Sequence, residues 1–192
     1  MTESTISAPR RGVPIWAQII IWVFLAGLLL IVAMGLSRAQ QGTVQPGQVI
    51  DNFSLPLYSG YELDGNSATS IEELRGKVIV INFWASWCAE CRIEQDALQT
   101  TWNRFRDSGV TVLGVNFQDT APDAREYVGS LGISYPIVQD TESATALAYG
   151  LRGVPETFVV DRAGRISDRI IGPVSLQRLA DLVNAQLQAG AR

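Results

Sequence analysis

The chain has 192 residues, of which 47% are hydrophobic and 18% are charged, and its formal net charge is −4. This composition excludes collagen-like and intrinsically disordered chains, and the length suits one domain with an appendage. The acidic balance argues against nucleic acid as a partner, because a nucleic-acid-binding domain presents a clustered basic face. The sequence contains no His and two Cys, which excludes His bases, His metal ligands and a four-ligand structural zinc site.

An uncharged apolar run extends from residue 15 to residue 36. As an α-helix these residues would be about 33 Å long, enough to cross the ~30 Å hydrocarbon core of a bilayer. Arg10 and Arg11 precede the run, whereas only Arg38 follows it closely. The positive-inside rule therefore predicts a cytoplasmic tail over residues 1–14, a single-pass anchor over residues 15–36, and an extracytoplasmic location, on the periplasmic side, for the rest of the chain. The alternative is a cleaved signal peptide, although its apolar region is usually only about 7–15 residues long.

Residues 37–51 are polar, contain Gly and Pro and show no periodicity, so we predict a flexible linker. From residue 52 to residue 192, short apolar runs alternate with amphipathic stretches, which predicts one layered α/β domain. The expected elements in chain order are a hairpin over 53–65, a helical turn at 71–74, a strand over 77–84, a helix over 92–106, a strand over 110–117, a helix over 122–131, a strand over 135–138, a helix over 143–149, strands over 156–160 and 165–171, and a helix capped by Ser175.

The helix predicted over residues 92–106 has an amphipathic pattern. Its apolar face is expected to consist of Ile93, Ala97, Leu98, Trp102 and Phe105. Glu94 and Gln95 are expected on the opposite, solvent-facing side of the helix.

Cys88 and Cys91 form a Cys-x-x-Cys motif between the strand over 77–84 and the helix that follows. The N-terminus of a helix presents free backbone N–H groups and the positive end of its dipole, which stabilise a thiolate on Cys88. Cys91 lies one helical turn further on and can attack a mixed disulfide formed by Cys88. The motif therefore predicts a nucleophilic thiol and a resolving thiol that close into a disulfide.

Other uses of two cysteines are less compatible with the sequence. A structural disulfide over so short a loop would constrain little of the unfolded chain. Attachment of a c-type haem requires His after the second Cys, where the chain has Arg92. Half a zinc site would need a second chain. A peroxidatic Pro-x-x-x-Thr-x-x-Cys pattern would need Pro and Thr where the chain has Ile81 and Ala85.

The segment FWASWCAEC at residues 83–91, the strand before it and the segment GVPETF at residues 153–158 resemble the membrane-anchored thioredoxin-like proteins of the TlpA/ResA/CcmG (DsbE) family. The resemblance covers residue 47 to the C-terminus. It implies a thioredoxin-like fold, with a central mixed sheet flanked by helices and an N-terminal β-hairpin extension. The Trp-Cys-x-x-Cys motif marks the thioredoxin superfamily, whereas the Pro-Glu-Thr-Phe segment and the hairpin point to the cytochrome c maturation branch.

The resemblance also assigns roles to individual residues. Cys88 is expected to be the attacking thiol and Cys91 the resolving thiol. Pro155 is expected to be a cis-proline facing the disulfide, with the backbone of Val154 pairing with an extended substrate segment. Trp87 is expected to shield the disulfide.

Two features near the cysteines concern proton transfer and charge: Asn82 differs from the thioredoxin residue at its position, and Glu90 adds a negative charge. Asn82 stands where thioredoxin has a buried Asp, and an amide cannot accept a proton from Cys91. Glu156, beside the cis-proline, is expected to accept that proton. The alternative is that Glu156 is a solvated charge at the end of a strand. Glu90 lies between the cysteines and is expected to disfavour the thiolate and tune its pKa upward. Its alternative role is to stabilise the first helical turn.

The resemblance implies an extracytoplasmic enzyme, a protein disulfide oxidoreductase that reduces the oxidised Cys-x-x-Cys-His of apocytochrome c during cytochrome c maturation. Its electrons are expected to come from an integral membrane thiol carrier of the CcdA/DsbD kind. Apart from the redox-active Cys88–Cys91 disulfide, no cofactor and no metal is expected. Two alternatives stay open: a general envelope disulfide oxidase or isomerase, which differs in redox poise, and a thiol-dependent copper chaperone for oxidase assembly.

Overall fold

The computed structural model of the protein describes residues 14–40 and 44–190, without the side chains of residues 36–40. It consists of two compact units, an N-terminal helix and a globular domain. Arg10 and Arg11, on which the predicted orientation of the anchor depends, lie outside the described residues, as does the side chain of Arg38.

The N-terminal unit is α1 (Ile15–Gln40). Its segment Ile15–Gly35 is long and apolar enough to cross a membrane. Large apolar side chains are exposed all around this helix, among them Trp16 and Trp22. A helix that is apolar on every side needs an apolar environment, so α1 is compatible with a single-pass membrane anchor.

The domain is built on a five-stranded mixed sheet in the order β5-β4-β3-β6-β7. Strands β3, β4 and β5 run parallel, whereas β6 is antiparallel to β3 and to β7. The elements are β1 (Ser54–Pro56), β2 (Ala68–Ser70), β3 (Val78–Trp84), α2 (Ala89–Phe105), β4 (Val110–Phe117), α3 (Ala121–Ser130), β5 (Ile137–Asp140), α4 (Ala144–Ala148), β6 (Glu156–Val160), β7 (Ile166–Ile171) and α5 (Leu176–Ala189). This architecture confirms the predicted thioredoxin-like α/β fold.

The central strand β3 is buried along its whole length and separates two hydrophobic cores. Side chains alternate between the faces of a strand, and Val80 and Trp84 accordingly pack in the core that contains Cys88 and Cys91. Phe83 packs in the other core. Every residue of the sheet can therefore be assigned to the cysteine side or to the opposite side.

The predicted N-terminal hairpin is present, but its second strand comes later than expected. β1 pairs with β2 in antiparallel register, with Leu55 opposite Thr69. The turn-rich segment forms the connection between the two strands and contributes no strand itself. Just after β1, Leu57 bridges Val138 and the N–H of Tyr58 donates to the carbonyl of Ile137 at 2.9 Å. The hairpin segment thus covers the β5 edge of the large sheet.

Part of the predicted flexible linker is packed on the domain. The N–H of Gly47 donates to the carbonyl of Ile166 at 2.7 Å, and the N–H of Ile50 donates to the carbonyl of Gly164 at 2.9 Å. Ile50 is buried in the core on the Phe83 side. These contacts place residues 47–50 along the β7 edge, so the ordered domain begins earlier than residue 52.

The apolar face predicted for α2 is confirmed from Ala97 onward, where its residues are buried or half-buried, but it is wrong at Ile93. Ile93 is 73% exposed, whereas Glu94 and Gln95 are buried. The buried side of the helix, which begins after the N-cap Cys88, contains Cys91, Leu98 and residues three or four positions away from them. As a result the helix turns a carboxylate, in place of an isoleucine, toward the cysteine-side core.

Gly114 of β4 is expected to be intolerant of a larger side chain. A Cβ at this position would lie 2.6 Å from Cδ1 of Ile137 and 3.0 Å from Nε1 of Trp84. Gly114→Ala is therefore expected to lower the free energy of unfolding by about 1–3 kcal/mol through overpacking. Gly129→Ala, a control in α3 with no atom within 4 Å of the new Cβ, is expected to keep or raise stability by up to about 1 kcal/mol. Urea denaturation of both variants tests this, and equal effects would contradict it.

Candidate active site

Cys88 and Cys91 form a disulfide at the N-terminus of α2. Cys88 is the N-cap residue of the helix, and its Sγ accepts a hydrogen bond from the backbone N–H of Cys91 at 3.0 Å. This N–H and the helix dipole favour negative charge on Cys88 once the bond is reduced. Cys88 retains 4% exposure, whereas Cys91 is fully buried. The geometry therefore gives the outer position to the predicted attacking thiol and the inner position to the predicted resolving thiol.

The loop before Cys88 is held by the loop that follows β4. The backbone N–H and the hydroxyl of Ser86 donate to the two carboxylate oxygens of Asp119, at 2.6 and 2.7 Å. Nε1 of Trp87 donates to the carbonyl of Gln118 at 2.9 Å. The Trp87 ring remains 61% exposed beside the disulfide. Its predicted role as a shield of the disulfide stays a prediction, although the ring is fixed at the surface next to Cys88.

The Val154–Pro155 peptide bond is cis, as the resemblance implies. Pro155 is buried and Val154 is half-buried. The carbonyl of Pro155 accepts a hydrogen bond from the N–H of Gly172 at 3.0 Å. Pro155 leads into β6, which lies between β3 and β7 and is therefore an interior strand. The pairing of Val154 with substrate stays a prediction.

Glu156 does not occupy the position that its predicted role requires. It lies opposite Phe83 in the β3–β6 register, so its side chain belongs to the face of the sheet away from the cysteines. Its carboxylate is fully buried and forms an ion pair with Arg169. It also accepts a hydrogen bond from the N–H of Arg152 at 3.0 Å. These partners leave it neither a solvated strand-end charge nor a neighbour of Cys91.

The Glu156–Arg169 pair instead joins several segments of the domain. Arg169 also donates to the carbonyls of Val44, at 3.1 Å, and Gly150, at 2.8 Å. Its guanidinium therefore ties Val44 and the segment that follows α4 to the sheet.

Arg169→Met is expected to lower the free energy of unfolding by about 3–5 kcal/mol, because it leaves the Glu156 carboxylate buried without its cation. The control is Lys77→Met, which breaks the exposed pair with Asp64 and is expected to cost at most about 1 kcal/mol. Thermal and urea denaturation of both variants measure the difference. Equal losses of unfolding free energy in the two variants would show that the buried ion pair stabilises the fold no more than the exposed one.

The buried acid on the cysteine side is Glu94. It lies one turn after Cys91 on the inner face of α2 and is 1% exposed. One carboxylate oxygen accepts a hydrogen bond from Nδ2 of Asn82 at 2.6 Å, and the other accepts from the N–H of Val174 at 2.9 Å. Burial raises the pKa of the Glu94 carboxyl to about 7, although the two hydrogen bonds partly offset this rise.

A buried carboxyl group with a pKa near neutrality suits proton transfer with a neighbouring thiol. Residues three positions apart on a helix are neighbours, with Cβ atoms about 5–6 Å apart. Glu94 thus lies one turn from Cys91 on the same buried face of α2. Its spacing of three from Cys91 could have identified it in the sequence, but the predicted phase of α2 placed it in solvent.

Glu90 lies exposed in the first turn of α2. An acidic side chain there stabilises the helix, and its charge also opposes a thiolate on Cys88.

Glu90→Gln is therefore expected to lower the thiol pKa of Cys88 by a few tenths of a pH unit, since an exposed charge is largely screened. Asp96→Asn removes an equally exposed acid farther along α2 and is expected to leave that pKa unchanged. The pH dependence of Cys88 alkylation measures both values. A thiol pKa that does not fall in Glu90→Gln would leave Glu90 with a helix-stabilising role alone.

A surface cleft begins beside Trp87 and runs between α2 and α3, with Arg92 and Tyr127 in its wall. The Arg92 guanidinium lies 4.8 Å from the centre of the Tyr127 ring, which stacks on the Trp84 ring at 4.9 Å. Asp123 adds a negative charge to the cleft.

Within residues 14–40 and 44–190, no group of three or more His, Cys, Asp or Glu side chains could hold a metal ion.

Comparisons with known proteins show the family of the chain. Residues 46–169 match the AhpC/TSA family. The thiol:disulfide interchange protein DsbE of Allochromatium vinosum is 33% identical over 153 residues, which cover 76% of this chain and 81% of that protein. The thiol:disulfide interchange protein HelX of Rhodobacter capsulatus is 43% identical over 101 residues, which cover 52% of this chain and 55% of HelX, or about half of its length.

A crystal structure described as a DsbE-type thiol:disulfide interchange protein from Chlorobium tepidum superposes with a TM-score of 0.69 at 23% identity. The superposition covers 76% of this chain and 99% of that structure, and it shows the same fold. The chain therefore belongs to the AhpC/TSA family, among the thioredoxin-like thiol:disulfide interchange proteins of the TlpA/ResA/CcmG (DsbE) kind.

Proposed function

We propose that the protein is a membrane-tethered thiol–disulfide reductase that acts outside the cytoplasm on oxidised Cys-x-x-Cys-His segments of apocytochrome c. One observation carries the proposal: the Cys88–Cys91 pair caps α2, with a buried acid one turn beyond the inner cysteine. A structural disulfide needs neither a helix N-terminus at its outer sulfur nor a proton acceptor at its inner one.

The reaction begins with the reduced protein. The Cys88 thiolate attacks one sulfur of the substrate disulfide, which forms a mixed disulfide and releases the other substrate sulfur as a thiolate. Cys91 then transfers its proton to Glu94 and attacks Sγ of Cys88. The Cys88–Cys91 bond forms, the second substrate sulfur leaves as a thiolate, and both substrate thiolates take up protons. The substrate gains two electrons and the protein ends as the disulfide.

The proposed location depends on α1 and on the charges that flank it. Arg10 and Arg11 precede the apolar segment, which favours a cytoplasmic N-terminus and a periplasmic catalytic domain. Outside the cytoplasm the Cys88–Cys91 disulfide must be reduced again after each cycle. An integral membrane thiol carrier of the CcdA/DsbD kind would supply these electrons within the same bilayer, so the proposal requires no flavin, nicotinamide or metal.

The first test is the reduction potential of the Cys88–Cys91 pair, measured on the full chain in lipid nanodiscs against a glutathione or dithiothreitol buffer series. The reference points are about −270 mV for thioredoxin and about −120 mV for the oxidant DsbA. A value at or below that of thioredoxin supports the reductase. A value near that of DsbA would contradict it and favour a general envelope oxidase or isomerase.

Substrate class is tested with the reduced protein and oxidised peptides. A peptide with Cys-x-x-Cys-His is expected to be reduced, and a matched Cys-x-x-Cys-Ala peptide measures how much the His contributes. Equal rates for these peptides and for an unrelated disulfide would contradict a preference for apocytochrome c. A stoichiometric copper(I) complex of the reduced protein, with no reduction of either peptide, would favour a copper chaperone.

A further inference from the structure

Asn82 is a buried polar residue to which the family resemblance gives no role. It lies in the middle of β3 and is fully buried on the cysteine side of the sheet. Its Nδ2 group donates to Oε1 of Glu94 at 2.6 Å and to Oγ1 of Thr157 at 3.0 Å. Thr157 is its direct neighbour in the β3–β6 register. The amide is thus held by a hydroxyl on one side and aimed at a carboxylate on the other.

The surroundings of Glu94 make this hydrogen bond important. Among the described residues, Glu94 forms no ion pair, and its only other hydrogen-bond donor is the N–H of Val174. The ionisable groups that interact with it electrostatically are Tyr127 and Tyr135. Burial raises the pKa of Tyr127 to about 12 and that of Tyr135 well above its usual value, so both are uncharged near neutral pH.

With no ion-pair partner among residues 14–40 and 44–190, the ionised form of Glu94 depends on two neutral donors. The N–H of Val174 belongs to the backbone and holds one carboxylate oxygen. Asn82 is the side-chain donor and holds the other. A hydrogen bond to a buried carboxylate both orients the group and favours its charged form.

We propose that Asn82 is a positioning residue for the thiol–disulfide reaction: its amide orients the Glu94 carboxylate and favours the ionised form that takes up the proton of Cys91. The inference rests on the proposed function, in which Glu94 accepts that proton. It assigns to the central strand a donor that sets the proton affinity of an acid on the neighbouring helix.

The test compares Asn82→Leu, which removes the donor and keeps the branching at Cγ, with Asn82→Asp, which keeps the shape but cannot donate when ionised. The matched control is Thr157→Val, which removes the other partner of the same amide and leaves the Glu94 contact in place. The titration of Glu94 is followed by NMR on full-length protein in nanodiscs with ¹³C-labelled Glu side chains. Glu94→Gln identifies its signal.

Asn82→Leu is expected to raise the midpoint of the Glu94 titration by about one pH unit or more, since a hydrogen bond that favours the charged form is lost. In Asn82→Asp the two acids titrate together, and the upper of their two steps is expected above the wild-type midpoint. Thr157→Val is expected to shift the midpoint by less than about 0.3 units, because a donor to Glu94 remains. In single-turnover experiments, the pH midpoint of substrate release is expected to follow the Glu94 midpoint in each variant.

An unchanged Glu94 midpoint in both Asn82 variants would overturn the inference. Equal shifts in Asn82→Leu and Thr157→Val would overturn it too, since they would reflect packing and no specific donor. Titration of the oxidised protein requires no turnover. An oxidant-like reduction potential would therefore contradict the proposed reductase and leave the measured effect of Asn82 on Glu94 intact.

Discussion

Glu94→Gln is expected to slow the release of reduced substrate by about 100-fold at pH 7, the lower end of what general acid–base catalysis contributes. Gln has the size of Glu but cannot take up the proton of Cys91 when that thiol attacks the mixed disulfide. The first step, attack by Cys88, is expected to keep its rate. Stopped-flow single turnovers followed by intrinsic Trp fluorescence separate the two steps. Asp96→Asn is the exposed-acid control on the same helix, and an equally slow first step in Glu94→Gln would contradict this role.

The same variant is expected to change how stability depends on pH. Burial raises the pKa of Glu94 from 4.5 to about 7. Between these values the folded protein holds a proton that the unfolded chain has lost, so the unfolding free energy of the wild type falls as pH rises. The unfolding free energy of Glu94→Gln does not fall in this way. Between pH 4.5 and pH 7, the unfolding free energy of the variant is therefore expected to rise by about 3 kcal/mol relative to that of the wild type. Denaturation curves that stay parallel across this window would show that Glu94 titrates at its ordinary pKa.

Cys91→Ser is expected to abolish turnover and to accumulate a mixed disulfide between Cys88 and a substrate peptide. Cys88 retains some exposure and caps the helix, whereas Cys91 is fully buried, so attack on an external disulfide should come from Cys88. Without the resolving thiol the mixed disulfide has no intramolecular route to release.

Mass spectrometry under non-reducing conditions detects this adduct directly. Cys88→Ser is the matched control and is expected to form none. An adduct that forms in Cys88→Ser and is absent from Cys91→Ser would reverse the roles of the two cysteines.

The sequence was most informative where one local pattern dominates. The buried strands β4 (Val110–Phe117) and β6 (Glu156–Val160) were predicted at their observed bounds, because short segments rich in β-branched and apolar residues are typical of buried strands in an α/β domain. Cys88 and Cys91 were placed at the start of a helix because they lie between a predicted buried strand and a predicted amphipathic helix.

The acids around the site depended on information that is not local. Glu156 is paired with Arg169, thirteen positions away on the neighbouring strand, and only the β6–β7 register brings them together. The helical periodicity of the sequence puts Ile93 on the apolar face of α2 and therefore Glu94 in solvent. The buried face of α2 is set by packing against β4 and α5, which periodicity within one helix does not contain.

The N-terminal segment of the domain closes the sheet at both sides, with residues 47–50 along β7 and residues 57–58 along β5. An open sheet edge is a template for pairing with other chains, so these short contacts reduce the tendency of the domain to aggregate. A fragment that begins at residue 52 would lack residues 47–50, which cover β7 and include the buried Ile50. The segment that resembles a linker in the sequence is therefore part of what limits edge-to-edge pairing between neighbouring copies of the domain.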